Sequence, residues 1–405
     1  MNQLYKNFLM DFVASKLLND QKLISKKNKI ISRIYNHQLK APDFLRFGIK
    51  VLAILFYLVT NVRNIIWKIG ISNQILQSRN SRIQLLTNMI RFHDSLYEIA
   101  NVNEKISPVN RKPSYPKKNI NYDFLIIGSG PGGAVYASKL QKAGLKICMI
   151  ESGILDLENN YDSFSYSEML HKYKYGGINA TLGNANIAYV EGQVIGGGSS
   201  VNSGLYHRAP TEILNKWETE FGLIDSNSEA LNKHLVDIEK ELNISYFPKG
   251  KIPKASLKLK EGADNLGWDS QEVPRWIRYD SNNSGSGTRM SMSRTYLKQY
   301  LDYGGEIFQP VKAESLTKEK GMWSVKVSSL KGEDKFLSKN VVLAAGTINT
   351  PLLLKKTGIM KKAGKKFQMH PTIKVVARFD EKINSSKMGV PVHQVKEFAP
   401  KYSFG

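Results

Sequence analysis

The sequence predicts an α/β protein whose Rossmann-like domain follows a helical N-terminal extension. Three blocks carry the prediction: a strand, glycine loop, helix and strand at 121–153, a glycine-rich loop at 192–210, and a strand-to-helix turn at 341–358. In each block an apolar run gives way to small residues, which is typical of the carboxyl ends of strands where open α/β sheets bind ligands. We therefore expect the three loops to meet at one ligand.

The first block contains a complete dinucleotide-binding unit. Phe124 to Ile127 is an apolar run of strand length, and Gly128, Gly130 and Gly133 follow it in G-x-G-x-x-G spacing. Gly128 permits the tight turn, Gly130 leaves room for a pyrophosphate, and Gly133 lets the helix pack close to the strand. The spacing therefore predicts a nucleotide cofactor.

A helix is predicted from Gly132 to Lys142, with Pro131 at its start and a stop at Ala143-Gly144. The first N–H groups of a helix have no intrahelical partner, and the helix dipole favours negative charge there. Gly132, whose N–H is one of these groups, and Pro131, which precedes it at the helix start, join the three glycines as candidate cofactor-binding residues.

The second strand of this unit, Lys146 to Ile150, ends at Glu151. An acidic side chain at this point accepts hydrogen bonds from ribose hydroxyls and repels a 2′-phosphate, so an adenosine without that phosphate is predicted. The alternative is a glycine-rich turn that binds nothing. The ordered succession of strand, glycines, helix, strand and acid disfavours it.

Composition limits the class of protein. The 405 residues suffice for two or three domains, and 41% hydrophobic and 10% aromatic residues are typical of a globular chain. The single cysteine, Cys148, is predicted to be a buried core residue of the second strand. One cysteine excludes an intrachain disulfide and Cys-ligated zinc or iron–sulfur sites, and we predict no metal.

The net charge of +23 is concentrated at the N-terminal end. Residues 1–120 carry 20 Lys or Arg against 6 Asp or Glu, without zinc-finger spacing or an RNA-recognition aromatic motif. An anionic membrane surface is therefore the expected partner of this region, and nucleic acid is not.

Residues 1–106 are predicted to form the helical extension, because Leu, Ile and Phe recur at spacings of three and four. Its most apolar part, Val51 to Val59, is bracketed by Lys50 and Arg63 and is too short to span a bilayer. A membrane-surface helix and a buried helix both fit it, and no secretory signal is recognised. Residues 107–118, with three prolines and four basic residues, are typical of a linker.

The glycine-rich block offers approachable backbone amides and small hydroxyls, which suit a loop pressed against a flat or anionic ligand. A flexible surface loop is the alternative. The apolar residues before the block and an asparagine after it favour a loop anchored at both ends. The candidate cofactor-binding residues here are Gly196, Gly197, Ser199, Ser200 and Asn202.

The third block predicts a strand from Val341 to Ala345, a turn at Gly346-Thr347 and a helix with Pro351 as an early residue. Ala345 and Gly346 stand at the carboxyl end of that strand. They are therefore candidates for the same cofactor.

These blocks, in this order, resemble the glucose–methanol–choline (GMC) oxidoreductase family of flavoproteins over about residues 121–375. GQVIGGGSSVN resembles the first family signature, and GTINTPLLLKKTGI resembles the second, with Thr357 and Met360 where Ser and Gly are usual. GTRMSMSRTYL and KKFQMHP resemble the bacterial and long-chain-alcohol branch, with Lys366 and Met369 in place of Asn and Asp.

The resemblance implies FAD as the cofactor, with its pyrophosphate on the glycines of the first block and its adenosine ribose on Glu151. Gly196 to Asn202 would lie along the ribityl chain and flavin, and Gly346 would return the chain to the diphosphate. A strand from Gly304 to Leu316 would bring the Val311 backbone to the adenine.

The resemblance also implies an interrupted FAD-binding domain. Its first part is assigned to residues 119–210, an inserted, substrate-side segment to 211–290, and its second part to 291–365. The start of an incomplete substrate-binding domain is assigned to 366–405, where Lys374 to Glu381 alternates as a half-buried strand.

Members of this family oxidise an alcohol by hydride transfer to flavin N5, with a histidine near the C-terminus as the base. No counterpart is recognised up to Gly405, and His171, His207 and His370 are expected to be structural or cofactor-side residues. The catalytic residues are thus left unassigned. A truncated product, a second chain that supplies the C-terminal section, and an incomplete gene model would each account for this.

Two functions remain open at this point. One is an FAD-dependent alcohol dehydrogenase or oxidase, with a long-chain aliphatic alcohol as the substrate suggested by the branch resemblance. The other is a non-catalytic, flavin-binding, membrane-associated subunit. The expected location is cytoplasmic, or peripheral to the membrane on its cytoplasmic side through residues 1–120.

Overall fold

The structure is a computed structural model. It divides into two compact units, Met1–Lys112 with Leu155–Val194, and Pro113–Ile154 with Ile195–Gly405. The predicted linker lies outside the described residues, which are 2–17, 27–38, 43–61, 121–154, 165–181, 187–225, 229–281, 285–373, 375, 377–383 and 392–405.

Three helices come first, and helices and strands are interspersed in the rest of the described chain. In chain order they are α1 (Asn2–Leu17), α2 (Lys27–Gln38), α3 (Asp43–Asn61), β1 (Asn121–Ile127), α4 (Pro131–Lys142), β2 (Ile147–Ile150), α5 (Tyr166–Lys172), β3 (Asn179–Ala180), β4 (Ala188–Tyr189), α6 (Thr211–Phe221), α7 (Glu229–Glu241), β5 (Ile244–Ser245), α8 (Lys254–Asn265), β6 (Ser270–Glu272), β7 (Arg275–Tyr279), β8 (Gly287–Arg289), α9 (Tyr296–Asp302), β9 (Glu306–Phe308), β10 (Val311–Glu319), β11 (Met322–Ser329), β12 (Gly332–Leu343), α10 (Gly346–Lys356) and β13 (His393–Val395).

The first unit contains the predicted N-terminal helices. Helix α1 packs against α2 and α3. The rings of Tyr5, Phe8 and Phe12 recur at helical spacing on one buried face of α1, with centroid separations of 6.0 and 5.8 Å between successive rings. The helical prediction is thus confirmed over these three elements, and its continuation beyond Asn61 lies outside the described residues.

The predicted apolar stretch begins inside α3. Ala53 is fully buried there, and Lys50 lies over the rings of Tyr5 and Tyr35 at 5.8 and 5.5 Å. Burial, and then the charge of Arg46, lowers the pKa of Lys50. Among the helices that the structure describes, none has the length and apolar character needed to cross a bilayer.

A six-stranded mixed sheet organises the second unit, in the order β10-β11-β12-β1-β2-β9. The neighbours β12, β1, β2 and β9 are parallel, and β10, β11 and β12 form an antiparallel meander. Strand β12 belongs to both parts, since Leu337 to Leu343 also pair with β1. This sheet confirms the predicted α/β, Rossmann-like fold class.

The two faces of the sheet carry two cores. Alternate residues of β1 and β2 point to opposite faces, as strand geometry requires. One core joins Leu125 and Cys148 to the meander and to Leu353 of α10. The other joins Ile126 and Met149 to α4 and α9. Cys148 is fully buried, which confirms its predicted core position.

The predicted strand Gly304–Leu316 is wrong as a single element. It forms two strands, β9 beside β2 and β10 at the other edge of the sheet, separated by Gln309-Pro310. The break has a physical reason, because Pro310 has no N–H to donate to a ladder and the chain must pass the end of β2 here. The pass brings the start of β10 to Glu151, where the Val311 N–H donates to the Glu151 carbonyl at 2.8 Å.

The predicted strand Lys374–Glu381 is not formed by the described residues 375 and 377–381. Ile373, Val375, Ala377 and Phe379 share the apolar side of the alternation, and all four are exposed. A period-two pattern predicts a strand only where a neighbouring strand completes the ladder, and no such neighbour lies among the described residues. The third block also differs slightly, since β12 starts at Gly332 and α10 begins at Gly346 itself.

Glu314 links the meander to α10. Its Oε1 accepts from Ser328 Oγ at 2.7 Å and Lys312 Nζ at 3.0 Å, and its Oε2 accepts from Lys356 Nζ at 3.1 Å. Burial alone would raise the pKa of Glu314, but these hydrogen bonds outweigh burial and lower it to about 2. A lowered carboxyl pKa stabilises the fold above the unfolded value near 4.5, and this stability is lost as the pH falls towards 2.

Glu314→Gln should therefore lower the free energy of unfolding at pH 7 by roughly 1–2 kcal/mol. The difference from the wild-type chain should shrink as the pH falls from about 4.5 towards 2, and thermal unfolding across this range measures it. The control is Glu333→Gln, because the Glu333 pair with Lys326 is solvent-exposed. A constant difference at every pH would contradict the assigned ionisation.

Candidate functional site

The first glycine loop connects β1 to α4, and packing dictates two of its glycines. Gly128 has φ +103°, and a Cβ there would lie 2.3 Å from the Ala344 carbonyl oxygen. A Cβ on Gly133 would lie 2.0 Å from the Gly128 carbonyl oxygen. The tight turn and the close helix contact predicted for these two glycines are therefore present, and both serve the protein's own backbone.

Gly130 differs from those two glycines. Its backbone is extended (φ −63°, ψ −179°), a conformation open to any residue, and an added Cβ would meet no described protein atom within 4 Å. The same open space adjoins Gly132. The structure therefore gives no packing reason for glycine at these positions, and a ligand seated there supplies one.

The N-terminus of α4 opens onto the same space. Gly130 is the N-cap without a side-chain hydrogen bond, Pro131 occupies the first helical turn, and no acidic residue lies in that turn. The first intrahelical bond runs from the Ala134 N–H to the Gly130 carbonyl at 2.9 Å. The earlier N–H groups, those of Gly132 and Gly133, can therefore donate to a phosphate.

Glu151 lies where the sequence places it, at the carboxyl end of β2. Its Oε2 accepts from the Ser129 N–H at 2.9 Å and from Ser129 Oγ at 2.8 Å. Its Oε1 accepts from the Gly153 N–H at 2.7 Å and from Ser152 Oγ at 3.2 Å. The acid is thus held directly against the glycine loop.

An adenosine ribose fits this carboxylate. A carboxylate has about four lone-pair positions, and four protein hydrogen bonds reach Glu151. The bond from Ser152 is the longest, and Ser152 is exposed. Rotation of its hydroxyl frees Oε1 for a ribose hydroxyl without disturbing the buried bonds from Ser129.

The second glycine loop rests on the first, which excludes the flexible-loop alternative. The Gly196 N–H donates to Ser129 Oγ at 3.1 Å. A Cβ on Gly197 would come within 3.0 Å of the Gly130 Cα. Gly196 and Gly197 have φ values of +87° and +54°, so the left-handed backbone favours glycine at both.

The hydroxyls of the second loop donate to the chain itself. Ser199 Oγ donates to the Gly196 carbonyl at 2.7 Å, and Ser200 Oγ donates to the Ile195 carbonyl at 2.8 Å. Asn202 accepts from the Gly204 N–H through Oδ1 at 3.2 Å and from Arg289 through its carbonyl. These hydrogen bonds fix the shape of the loop. The predicted contacts of Ser199, Ser200 and Asn202 with a cofactor stay predictions.

The third block reaches the same place. Ala344, next to Ala345, contacts the Gly128 turn, and the Ala344 N–H donates to the Ile127 carbonyl at 2.8 Å. Gly346 begins α10 with φ +87°, and an added Cβ there would meet no described atom within 4 Å. A second open helix N-terminus therefore lies at this edge of the sheet, as predicted for Ala345 and Gly346.

The backbone of Val311 is the predicted contact to the adenine. Its N–H is paired with the Glu151 carbonyl, so an adenine cannot use that donor without displacing the bond. The start of β10 still borders Glu151. The contact of the Val311 backbone with the adenine stays a prediction.

Ser129 is the site residue that sequence reasoning missed. It stands between two glycines of the motif, and its side chain bridges Glu151 and Gly196. The sequence signal for this role was the presence of a small polar residue between two glycines. Its two partners lie 22 and 67 residues away in the sequence, so only the folded chain identifies them.

The histidines lie in different settings. His207 and His370 are exposed. Partial burial and the charge of Lys396 lower the pKa of His207. His393 is buried on β13, opposite Glu272 of β6, and burial lowers its pKa. His171 belongs to α5 of the first unit.

Comparison with known proteins identifies the family of this chain. A family model described as GMC oxidoreductase matches residues 122–372. The "Uncharacterized GMC-type oxidoreductase y4nJ" of Sinorhizobium fredii is 30% identical over 70% of this chain and 58% of its own length. The "Long-chain-alcohol oxidase FAO3" of Arabidopsis thaliana is 28% identical over 66% of this chain and 38% of its own length. This chain thus spans well under two thirds of these curated relatives.

Solved structures that match part of this chain include a formate oxidase of Aspergillus oryzae. It is 17% identical, with a TM-score of 0.48, over 60% of this chain and 48% of that one. The family match covers all three predicted blocks and every site residue assigned to them. The chain therefore belongs to the GMC oxidoreductase family, with FAD as its cofactor.

Proposed function

We propose that this chain is the FAD-binding part of an oxidoreductase that oxidises the CH–OH group of an alcohol. The observation that carries the proposal is that the two glycine loops and the turn between β12 and α10 meet at the carboxyl ends of β1, β2 and β12. The alcohol is supported by family membership and by the long-chain-alcohol oxidases among the relatives.

The residues of the site would divide the work by chemistry. N–H groups at the start of α4 bind the pyrophosphate, and Glu151 orients the adenosine ribose. Gly196 to Asn202 close the flavin end of the site and exclude water from it. FAD, when bound, supplies the acceptor for the hydride that leaves the substrate carbon. The hydroxyl proton needs a separate base, which the family resemblance implies is a C-terminal histidine.

The substrate we propose is a long-chain aliphatic alcohol. The printed names of the Arabidopsis relatives support it, as does the branch resemblance around Gly287 to Leu297. The non-catalytic, flavin-binding subunit is the second candidate. It is favoured by one observation, that the relatives carry at least two fifths of their length outside the matched part.

The decisive experiment is anaerobic reduction of the FAD-loaded chain by a long-chain alcohol, followed by loss of the flavin absorbance band. These 405 residues should reduce their flavin at least ~10²-fold more slowly than the Arabidopsis long-chain-alcohol oxidase, because no catalytic base is recognised among them. Photoreduction is the control that shows the flavin to be reducible. Photoreducible flavin that no alcohol bleaches would favour the non-catalytic subunit. Rapid bleaching that is lost in His370→Ala would place the base within these residues.

We also propose that a further polypeptide section completes the site, in the same chain or in a second one. The exposed apolar side formed by Ile373, Val375, Ala377 and Phe379 supports this, because it is an apolar surface that the described residues leave uncovered. Adding the C-terminal part of the Sinorhizobium relative in trans should raise the flavin reduction rate. An unchanged rate at saturating concentrations counts against it.

Peripheral membrane contact through residues 1–120 is a separate proposal. The basic excess of this region and the exposed ring of Phe47 support it, whereas the buried Lys50 cannot contribute. Co-sedimentation with anionic vesicles should be strong at low salt and weak at high salt, since each basic contact is worth ~1 kcal/mol. Lys50→Gln should bind as the wild type does. Absence of binding at both salt concentrations would leave a helical cap as the role of this region.

A further inference from the structure

A continuous chain of hydrogen bonds runs through the site beneath its surface. It starts at the Glu151 carboxylate, passes through the Ser129 hydroxyl to the Gly196 N–H, and continues from the Gly196 carbonyl to the Ser199 hydroxyl. It ends where the Met292 N–H donates to Ser199 Oγ at 3.0 Å. The chain thereby connects the nucleotide end of the site to the segment behind the flavin-side loop.

Both serines of this chain are sealed from solvent. Ser129 is 0% exposed and Ser199 is 1% exposed. A buried N–H that loses its acceptor keeps the full cost of its desolvation, because water cannot replace the partner. The Gly196 N–H depends in this way on Ser129, and the Met292 N–H depends on Ser199.

The direction of each bond follows from the chemistry of a hydroxyl, which has one proton to donate. The Ser129 hydroxyl donates its proton to Glu151 Oε2 and accepts a hydrogen bond from the Gly196 N–H. The Ser199 hydroxyl donates its proton to the Gly196 carbonyl and accepts a hydrogen bond from the Met292 N–H. Neither hydroxyl retains a proton for a cofactor oxygen.

We propose that Ser129 and Ser199 are positioning residues that hold the Gly196–Ser200 loop in place for the flavin half of FAD, anchored on the Glu151 carboxylate. The proposal rests on the FAD assignment and on the predicted place of this loop along the flavin. It changes the role predicted for Ser199, from a residue that contacts the cofactor to one that shapes the loop that does. For Ser129 it assigns a role where sequence analysis gave none.

The proposal separates the two halves of the cofactor. ADP needs only the nucleotide end of the site, which includes the start of α4 and Glu151, whereas FAD also needs the flavin-side loop. Ser129→Ala removes the acceptor of the Gly196 N–H and leaves Glu151 with an extra free lone pair. We expect its affinity for FAD to fall about ten-fold and its affinity for ADP to change less than two-fold. Ser199→Ala should show the same split, and titration calorimetry with each ligand measures it.

The matched control is Ser138→Ala. Ser138 is also buried, and its hydroxyl donates to Gln299 Oε1 at 3.0 Å on the side of α4 that faces α9. It removes the same group with a similar effect on stability, and the ratio of FAD to ADP affinity should stay that of the wild type. Ser129→Cys, which keeps the size with a weaker donor, should restore part of the FAD affinity.

Hydrogen exchange gives a readout without any ligand. Backbone amides of the 196–201 segment should exchange faster in Ser129→Ala than in Ser138→Ala. Equal losses of FAD and ADP affinity, or no loss of either, would overturn the proposal. If Ser129→Ala fails to fold, Ser199→Ala decides. A wild-type chain that binds ADP but not FAD would overturn the cofactor assignment and this proposal together, whereas intact wild-type FAD binding confines any failure to the proposal.

Discussion

A Gly130→Val chain should fold as the wild type does and bind FAD at least ~100-fold more weakly. An added Cβ at this position meets no described protein atom within 4 Å, and the φ of −63° suits valine. The side chain would instead occupy the space in front of the α4 N-terminus, where the pyrophosphate is predicted to bind. The loss is thus a direct clash with the ligand and leaves the protein's own packing unchanged.

Quenching of flavin fluorescence measures the affinity, and the thermal midpoint checks the fold. Gly262→Val is the control, since Gly262 is exposed on α8 and an added Cβ there also meets no described atom. If a Gly130→Val chain keeps wild-type FAD affinity, this loop is not the pyrophosphate-binding site.

Gly133→Ala should produce the opposite result, a failure of the fold itself. The new Cβ would lie 2.0 Å from the Gly128 carbonyl oxygen and 3.2 Å from the Ala344 Cβ, between backbone groups that cannot rotate away. We expect a loss of at least ~3 kcal/mol, a fall in the thermal midpoint of about 6–12 °C, or an insoluble product.

Differential scanning calorimetry on the chain without FAD makes this measurement independent of the cofactor. Gly130→Ala is the matched control, because it adds the same methyl group in the same loop, where an added Cβ meets no described atom within 4 Å. If both alanine variants melt with the wild type, α4 can shift to make room, and the glycine at 133 is not required by packing.

The parts of the fold that the sequence predicts well are those decided by neighbours in the chain. Strand β1, helix α4, strand β2 and Glu151 follow one another within about thirty residues, and each has a local signal in apolar runs, glycine spacing or a terminal acid. The FAD assignment follows from these elements together with two further motifs, and the family match confirms it.

The parts that it does not predict depend on distant partners. In the run Gly304–Leu316, Pro310 is a local sign of a break, but the placement of β9 beside β2 and of β10 at the other edge of the sheet depends on strands that are distant in the sequence. Val375 and Phe379 lie in an alternating pattern that lacks a neighbouring strand among the described residues. Ser129 carries no signal beyond its size and polarity, because its role is set by contacts across the fold.

The strand order has a consequence for how the chain is made. Strand β1 pairs on one side with β2, which follows it closely, and on the other side with Leu337 to Leu343 of β12, which leave the ribosome more than 200 residues later. At a synthesis rate of roughly 5–20 residues per second, one edge of β1 waits about 10–40 s for its neighbour. The nascent chain must therefore keep an apolar strand edge covered for that time, and a chaperone that binds extended apolar segments would be most needed between the completion of α4 and the arrival of β12.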